Sequence, residues 1–360
     1  MTGLLLPQLP VAWTSPQLPA RPSSFVEYDV EAPEVSLLKT LYPHQRDAHL
    51  TFDSVTHTYF IDGTPSMGRV TDLLHRFIHP FEPDTIIDGM MNSGRWPRPG
   101  YLKSVLPEGV ASSLMQYADA ETLLHTLEAP AMDDAYVCEL AHALISCNPE
   151  VEDIVRGIAL TAEEIKAKWK AGGSSAANQG TWMHLQFELY LNLCDVPHDT
   201  PEMKLFLRYI GTLSGLKAYR TEWSIYGDEE RLAGSIDFVA EDTNGDLVLC
   251  DWKRTKGLPD KYDNSYKRML PPLEHIRDCS GWHYRLQLNC YRYLREKYYG
   301  RKVSGMFVVC THPEHADCAF VDAVPVLQHE TELLMQDQRC RAAQQDRCGG
   351  TSRWCDVVGR

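Results

Sequence analysis

The run Leu247-Val248-Leu249-Cys250-Asp251-Trp252-Lys253 is apolar until it ends in a carboxylate and an ammonium two positions apart. In an extended strand such a pair points to one face. Just upstream, Gly234-Ser235-Ile236-Asp237 sets a second carboxylate on what reads as the adjacent hairpin partner, within reach of Asp251. Two hard oxygen ligands suit Mg²⁺. Lys253 beside such an ion would orient or deprotonate a water, or stabilise charge gathering on a phosphorus. That combination suits phosphodiester hydrolysis, although an Asp-x-Lys spacing by itself is equally what a surface ion pair looks like.

Two helical spacings add to it. His184 and Glu188, in Gly180-Thr181-Trp182-Met183-His184-Leu185-Gln186-Phe187-Glu188, lie one turn apart on one face. Both can ligate a divalent ion, while a lone helical histidine is as readily a satisfied core or surface residue. Gln287 and Tyr291 are likewise four apart. They are neutral groups suited to holding a carboxylate, a water or a phosphate, or else to an ordinary amphipathic helix.

The elements that must position these groups can be read from pattern. Residues 1–45 carry seven prolines, at 7, 10, 16, 19, 22, 33 and 43, and read as an extended tail. Residues 46–170 read as a mostly helical accessory region. A small hairpin over Thr51–Ile61 ends in Asp62-Gly63, Ser66 is placed to cap a short helix, and Thr161 with Glu164 is a capping box. From 171 to 325 the order is helix, three strands, helix, strand. The strands are expected at 218–226, 232–240 and 247–252, then a helix over 283–299 ending at Gly300, and a buried strand at 303–310. Residues 326–360 read as a closing helix and tail. The pattern predicts an α/β (α+β) fold whose mixed central sheet is covered on both sides.

Composition limits the function classes. Hydrophobic residues make up 44% and charged residues 23% of 360, the usage of an ordinary folded domain rather than a disordered or coiled-coil chain. No run of about 18 apolar residues occurs, and the proline-broken start lacks a basic lead, so an intracellular protein without a membrane partner is expected. The 11 cysteines read as mostly reduced thiols. Cys310, His312, His315 and Cys318 are zinc-ligand types, but a turn explains their spacing better. Net charge is −14, yet residues 251–302 hold 13 Lys or Arg against 6 Asp or Glu, a local +7. Tyrosines and Trp282 interleave with those charges, as where phosphates are neutralised and bases stack, or where a solvated helical face overlies an aromatic core.

The ordered set Gly-x-x-x-His-x-x-x-Glu, Gly-x-x-Asp, Asp-x-Lys and Gln-x-x-x-Tyr, on helix, strand, strand and helix, resembles the RecB-like branch of the PD-(D/E)XK nuclease superfamily. The resemblance covers residues 165–325, and the Asp251–Gly300 stretch looks most like nucleases of large DNA viruses and phages. It implies a restriction-endonuclease-like core and Mg²⁺ or Mn²⁺ held by His184, Asp237, Asp251 and the Trp252 main-chain carbonyl. Lys253 would handle the attacking water, Glu188 and Gln287 would join the catalytic centre, and Glu222 would support it from the neighbouring strand. Beyond the resemblance, the local +7 charge points Arg254, Lys267, Arg268, Arg285 and Arg292 to the nucleic acid, with Lys261 among the same cations and Tyr291 beside them. The expected partner is DNA, at ends or single strands, in repair, recombination or replication. RNA is the alternative, because the metal chemistry is indifferent to the sugar. A binding module of the same fold without turnover is a further reading, and the joint presence of Asp237, Asp251 and Lys253 favours the enzyme. Some relatives hold an iron–sulphur cluster. Cys340, Cys348 and Cys355 lie in the right region, but no Cys-x-x-Cys pair exists and no cluster is expected.

Overall fold

A computed structural model describes residues 3–7, 35–127, 129, 132–262, 266–315 and 317–347. The chain opens with α1 (Leu37–Leu41), the strands β1 (Leu50–Asp53), β2 (Thr58–Ile61) and β3 (Thr64–Pro65), and α2 (Val70–His75). Next come α3 (Pro83–Met91), α4 (Glu108–Leu114), α5 (Glu121–Leu127), α6 (Asp134–Cys147) and α7 (Glu152–Arg156). The long α8 (Ala162–Leu191) and α9 (Pro201–Ile210) lead to β4 (Lys217–Gly227), β5 (Leu232–Glu241) and β6 (Leu247–Lys253). Then α10 (Ser280–Tyr299), β7 (Val303–Cys310), β8 (Phe320–Ala323) and α11 (Gln328–Arg347) complete the described chain. The mixed α/β class expected from the pattern is the one observed. No helix among the described residues is long and apolar enough to cross a membrane.

The chain divides into two compact units, Met1–His79 with Ala176–Arg360, and Pro80–Ser175. This differs from the expected division. The boundary falls inside α8, which runs unbroken through Gly172 and Gly173, and the hairpin and α2 group with the large sheet. The reason is apolar: Val70, Leu73 and Leu74 of α2 are buried in the same core as Leu286 and Leu294 of α10. The smaller unit has its own cores, one around Leu114, Leu123, Val137 and Val155, another around Ile87, Trp96 and Ile165. Its capping box is present, with Thr161 N–H donating to Glu164 Oε2 at 2.7 Å and Glu164 N–H to Thr161 Oγ1 at 3.3 Å. It marks the start of α8.

The large sheet has the order β4-β5-β6-β7-β8. β4 to β6 form the expected antiparallel meander, β7 lies parallel to β6, and β8 is an antiparallel edge. A parallel neighbour requires a crossover, and α10 supplies it. Gly300, at φ +68, stops α10 in a left-handed conformation that a side chain disfavours. Along β6, Leu247 and Leu249 pack with α10 and α11, while Val248, Cys250 and Trp252 pack with α8 and α9. That alternation decides where the polar end of β6 goes.

Part of the expected tail is structured. Leu5 bridges Lys217 at the start of β4, donating to Leu216 O at 2.9 Å and accepting from Ala218 N at 2.9 Å. Leu38 of α1 is fully buried and its N–H donates to Asn192 Oδ1 at 2.9 Å. The leucine runs at 4–6 and 37–38 can bury area that isolated prolines cannot. Residues 8–34 lie outside the described residues.

Candidate metal and catalytic centre

Register builds the site. β4 pairs Thr221 with Phe238 and Trp223 with Ile236, which places Glu222 opposite Asp237. β5 pairs Phe238 with Cys250, and continuing that register places Asp251 opposite Asp237. One carboxylate from each of three adjacent strands therefore lies in a single row. The β5–β6 ladder stops at this row because Asp237 Oδ2 takes the Trp252 N–H itself, at 2.7 Å.

Packing then aims the groups. The Trp252 ring stacks on Phe238, centroids 5.7 Å apart, and meets Phe187 and Phe206 edge-on. This clamp holds Trp252 on the α8–α9 face, so Asp251 and Lys253 point to the α10 face. There Lys253 Nζ lies 2.6 Å from Asp251 Oδ2 and 4.8 Å from the centre of the Tyr284 ring. Asp251 is 1% exposed, and no other donor among the described residues reaches either of its oxygens. Tyr284 was not foreseen, although its spacing of three and seven from Gln287 and Tyr291 puts all of them on one helix face.

Tyr291, expected at the nucleic acid, is instead a core residue at 4% exposure, and its hydroxyl accepts from Gln287 Nε2 at 3.2 Å. Its ring lies so close to β5 that a Cβ on Gly234 would meet Tyr291 Cε1 at 2.8 Å. The Gly-x-x-Asp spacing thus has a packing cause: Gly234 lets α10 sit down on β5, and Tyr291 in turn fixes the Gln287 amide.

From the other face of the row, α8 contributes His184 and Glu188. His184 Nε2 is 3.1 Å from the Trp252 carbonyl oxygen, and Nδ1 is 3.6 Å from Glu222 Oε1 and 3.7 Å from Asp237 Oδ2. His184, Glu222 and Asp237 each offer a ligand atom, all within 4.8 Å of one another, a grouping that does not include Asp251. Glu222 adopts φ +41, a left-handed conformation that costs a non-glycine residue on the order of 1–3 kcal/mol, and its Oε2 accepts from Ser235 Oγ at 3.2 Å. A cavity of about 380 Å³ opens beside Glu188 and Glu222, and another of about 260 Å³ beside Tyr284 and Gln287.

The electrostatics follow from burying several carboxylates together. Burial pushes Asp251 up to about 6, against Lys253, with the Asp237 charge adding to the rise. Burial, then Glu222 and Asp237, push Glu188 up to about 8. Asp237 is raised as well, again mainly by burial. The two bases move to compensate. Burial opposes charge on His184, yet Asp237 and Glu222 raise it to about 9. Lys253 is raised in the same way by Asp251 and Asp237, so it is an ammonium at neutral pH.

The cations expected at the nucleic acid divide into two groups. Arg285 holds Asp322 through Nε at 2.8 Å and Nη2 at 2.7 Å, Arg254 holds the buried Glu202 at 2.8 Å, and Arg292, 9% exposed, holds Glu296 at 2.7 Å and Gln328. These three are tied into the fold. Lys261, Lys267 and Arg268 are exposed. Most of the interleaved aromatics are also internal, with Tyr262 donating to Asp322, Tyr293 and Tyr298 to Glu230, and Tyr299 accepting from Tyr226 N–H.

No family model and no curated protein matches the chain. A solved structure from Eubacterium rectale, described as a candidate exonuclease, matches with 13% identity over 71% of this chain and 77% of its own, at a TM-score of 0.25. A likeness of that size carries no argument, and the functional reading stands on the geometry of the site.

Proposed function

We propose that this protein is a divalent-metal-dependent nuclease that hydrolyses DNA phosphodiester bonds, acting at ends or on single strands. The observation that carries the reading is the row of three carboxylates across β4, β5 and β6, flanked by His184 on one side and by the Lys253–Asp251 pair on the other. The donors fit a hard divalent ion. Oxygens of Glu222 and Asp237 converge with the His184 imidazole, and among the described residues only Lys253 reaches the buried oxygens of Asp251. Asp237 and His184 would hold Mg²⁺ or Mn²⁺, which when bound supplies Lewis acidity toward a phosphoryl oxygen and a more acidic water.

The remaining roles belong to the chain. Lys253, kept cationic by its carboxylate neighbours, stabilises the charge that builds on the phosphorus rather than removing a proton. Asp251 holds that ammonium in place. Gln287, fixed by Tyr291, presents an amide at the edge of the 260 Å³ cavity, where it can hold a phosphate oxygen or a water. Exposed Lys261, Lys267 and Arg268 would neutralise backbone phosphates.

End-labelled single- and double-stranded DNA and RNA, incubated with Mg²⁺, Mn²⁺, Ca²⁺ or a chelator, test the reading. Cleavage of DNA is expected with Mg²⁺ or Mn²⁺. It is expected to fail with Ca²⁺, whose looser coordination positions water poorly. Full activity in the chelator rejects the metal centre. Cleavage of RNA alone changes the substrate, and binding without cleavage in any metal marks a module that has no turnover.

A further inference from the structure

We propose that Glu222, on the first strand of the large sheet, is a direct ligand of the divalent ion, in a set with His184 Nδ1 and Asp237. The inference rests on the reading of this site as a metal-dependent nuclease centre, and it departs from the ligand set that the resemblance implies.

The decisive contact is His184 Nε2 to the Trp252 carbonyl oxygen, at 3.1 Å. A carbonyl can only accept, so Nε2 carries a hydrogen, and Nδ1, which gives up its own proton when a metal binds, is the ligand atom. A metal-ligating histidine commonly donates its other ring N–H to a backbone carbonyl, which fixes ring and tautomer. The carbonyl oxygen keeps a second lone pair, so this bond fixes the ring without removing that oxygen from the ion's reach. Nδ1 faces Glu222 Oε1 at 3.6 Å and Asp237 Oδ2 at 3.7 Å. Around an octahedral ion with bonds of about 2.1 Å, ligand atoms stand roughly 3 Å apart when adjacent and roughly 4.2 Å when opposite. The two separations from Nδ1 lie between these limits and all three ligand atoms lie within 4.8 Å of one another, so one ion can contact all three after side-chain rotations.

Glu222 is also held for the task. It sits opposite Asp237 in register, Ser235 Oγ donates to Oε2 at 3.2 Å, and Oε1 is the atom turned to His184. A cavity of about 380 Å³ opens beside Glu222 and Glu188. Asp251 has a different engagement, 2.6 Å from Lys253 and outside the group of converging ligand atoms.

The test is calorimetric titration of Mn²⁺ into the metal-stripped full chain, without nucleic acid, alongside thermal unfolding with and without Mn²⁺. Glu222→Gln is expected to weaken Mn²⁺ binding on the order of tenfold or more, as Asp237→Asn does, and to lose most of the Mn²⁺-dependent rise in unfolding temperature. Glu222→Asp keeps the charge and suits a positive φ better than most residues, so it secures a folded variant. With its shorter reach it too is expected to bind Mn²⁺ on the order of tenfold more weakly. Wild-type affinity in either folded variant overturns the assignment while leaving the nuclease reading intact. Absence of Mn²⁺ binding by the wild type overturns both.

Discussion

Two carboxylate centres in the large unit are built on opposite plans. Glu230, fully buried in the β4–β5 turn, accepts from Tyr293, Lys297 and Arg339 at Oε1 and from Tyr298 at Oε2, over 2.5 to 3.1 Å. Burial works against its charge, but these donors hold its carboxyl below the usual range. The row of Glu222, Asp237 and Asp251, with Glu188 behind it, is buried only at Asp251 and partly exposed elsewhere, and among the described residues His184 and Lys253 are the cations beside it. There Glu188, Asp237 and Asp251 are raised rather than lowered. The first centre is closed, and its electrostatics are spent on tying α10 and α11 to the sheet. The second is short of positive charge, which is the condition for taking up a cation and for doing chemistry with it.

The widest gap between the two centres should be in activity. Asp251→Asn and Lys253→Ala are each expected to lower cleavage by on the order of a hundredfold or more, because they act where charge develops. In initial-rate assays with labelled DNA, either variant cutting at the wild-type rate would remove the row from the mechanism. Stability should run the other way. Glu230→Gln takes one charge from a buried, fully paired cluster and is expected to lower the unfolding free energy by about 3 kcal/mol. Asp251→Asn, which removes an under-compensated charge, should leave it within about 1 kcal/mol in the absence of metal. Denaturant unfolding of both variants in a chelator would erase the contrast if their losses were equal.

The pH dependence of stability sharpens the same contrast, since the two shifts have opposite sign. Glu230 has a lowered folded pKa, so the unfolded chain binds its proton first. Its contribution is complete above the ordinary glutamate value of about 4.3 and is lost as pH falls through the folded value. Asp251 has a folded value of about 6, above the ordinary aspartate value of about 3.9. Between those pH values the folded chain binds the extra proton, so this group lowers stability as pH rises through that window. Asp251→Asn should therefore remove a falling component between pH 4 and 6, and Glu230→Gln a rising one below about pH 4.3. Metal-free urea unfolding of wild type and variants across that range decides it. Identical pH profiles for Asp251→Asn and the wild type would mean that Asp251 is not raised.

What could be read from the chain alone was what depends on near neighbours in sequence. The β4–β6 meander, the stop at Gly300 and the Thr161–Glu164 cap are local signals, and the spacings of Asp237, Asp251 and Lys253 carried the polar end of the sheet. What could not be read depends on distant partners. That Glu222 faces Asp237 follows from the register on either side of the turn at Asp228–Arg231, and from a left-handed backbone that its residue type disfavours. The leucines at 4–6 and 37–38 were hidden among prolines because composition does not record which apolar residues find a surface. The division expected between 170 and 171 falls inside α8, which runs on through Gly172 and Gly173. The cationic stretch was the most misleading, because a charge count does not record which cations Asp322, Glu202 and Glu296 hold within the fold.

Those partners set the smallest of the expected effects. Lys267 and Arg268 are exposed, whereas Arg285 is bound in a two-point contact to Asp322, itself 8% exposed. If nucleic acid runs over the exposed cations, Lys267→Ala with Arg268→Ala should weaken binding alike for every base sequence and flatten the salt dependence by up to about one unit per lost phosphate contact. Stability should hardly change, since exposed charges contribute little. Arg285→Ala should do the reverse, lowering stability by leaving Asp322 beside Tyr262 without its cation, while the salt slope of binding stays as in the wild type. Titrations of labelled single-stranded DNA at several salt concentrations, in Ca²⁺ to suppress cutting, separate the two. A double variant whose salt curve overlays that of the wild type would show that the exposed cations are solvated and nothing more. A flattened slope in Arg285→Ala would show that the ion pair with Asp322 opens to admit a phosphate, and that pairing within the fold is a poor guide to which cations meet the substrate.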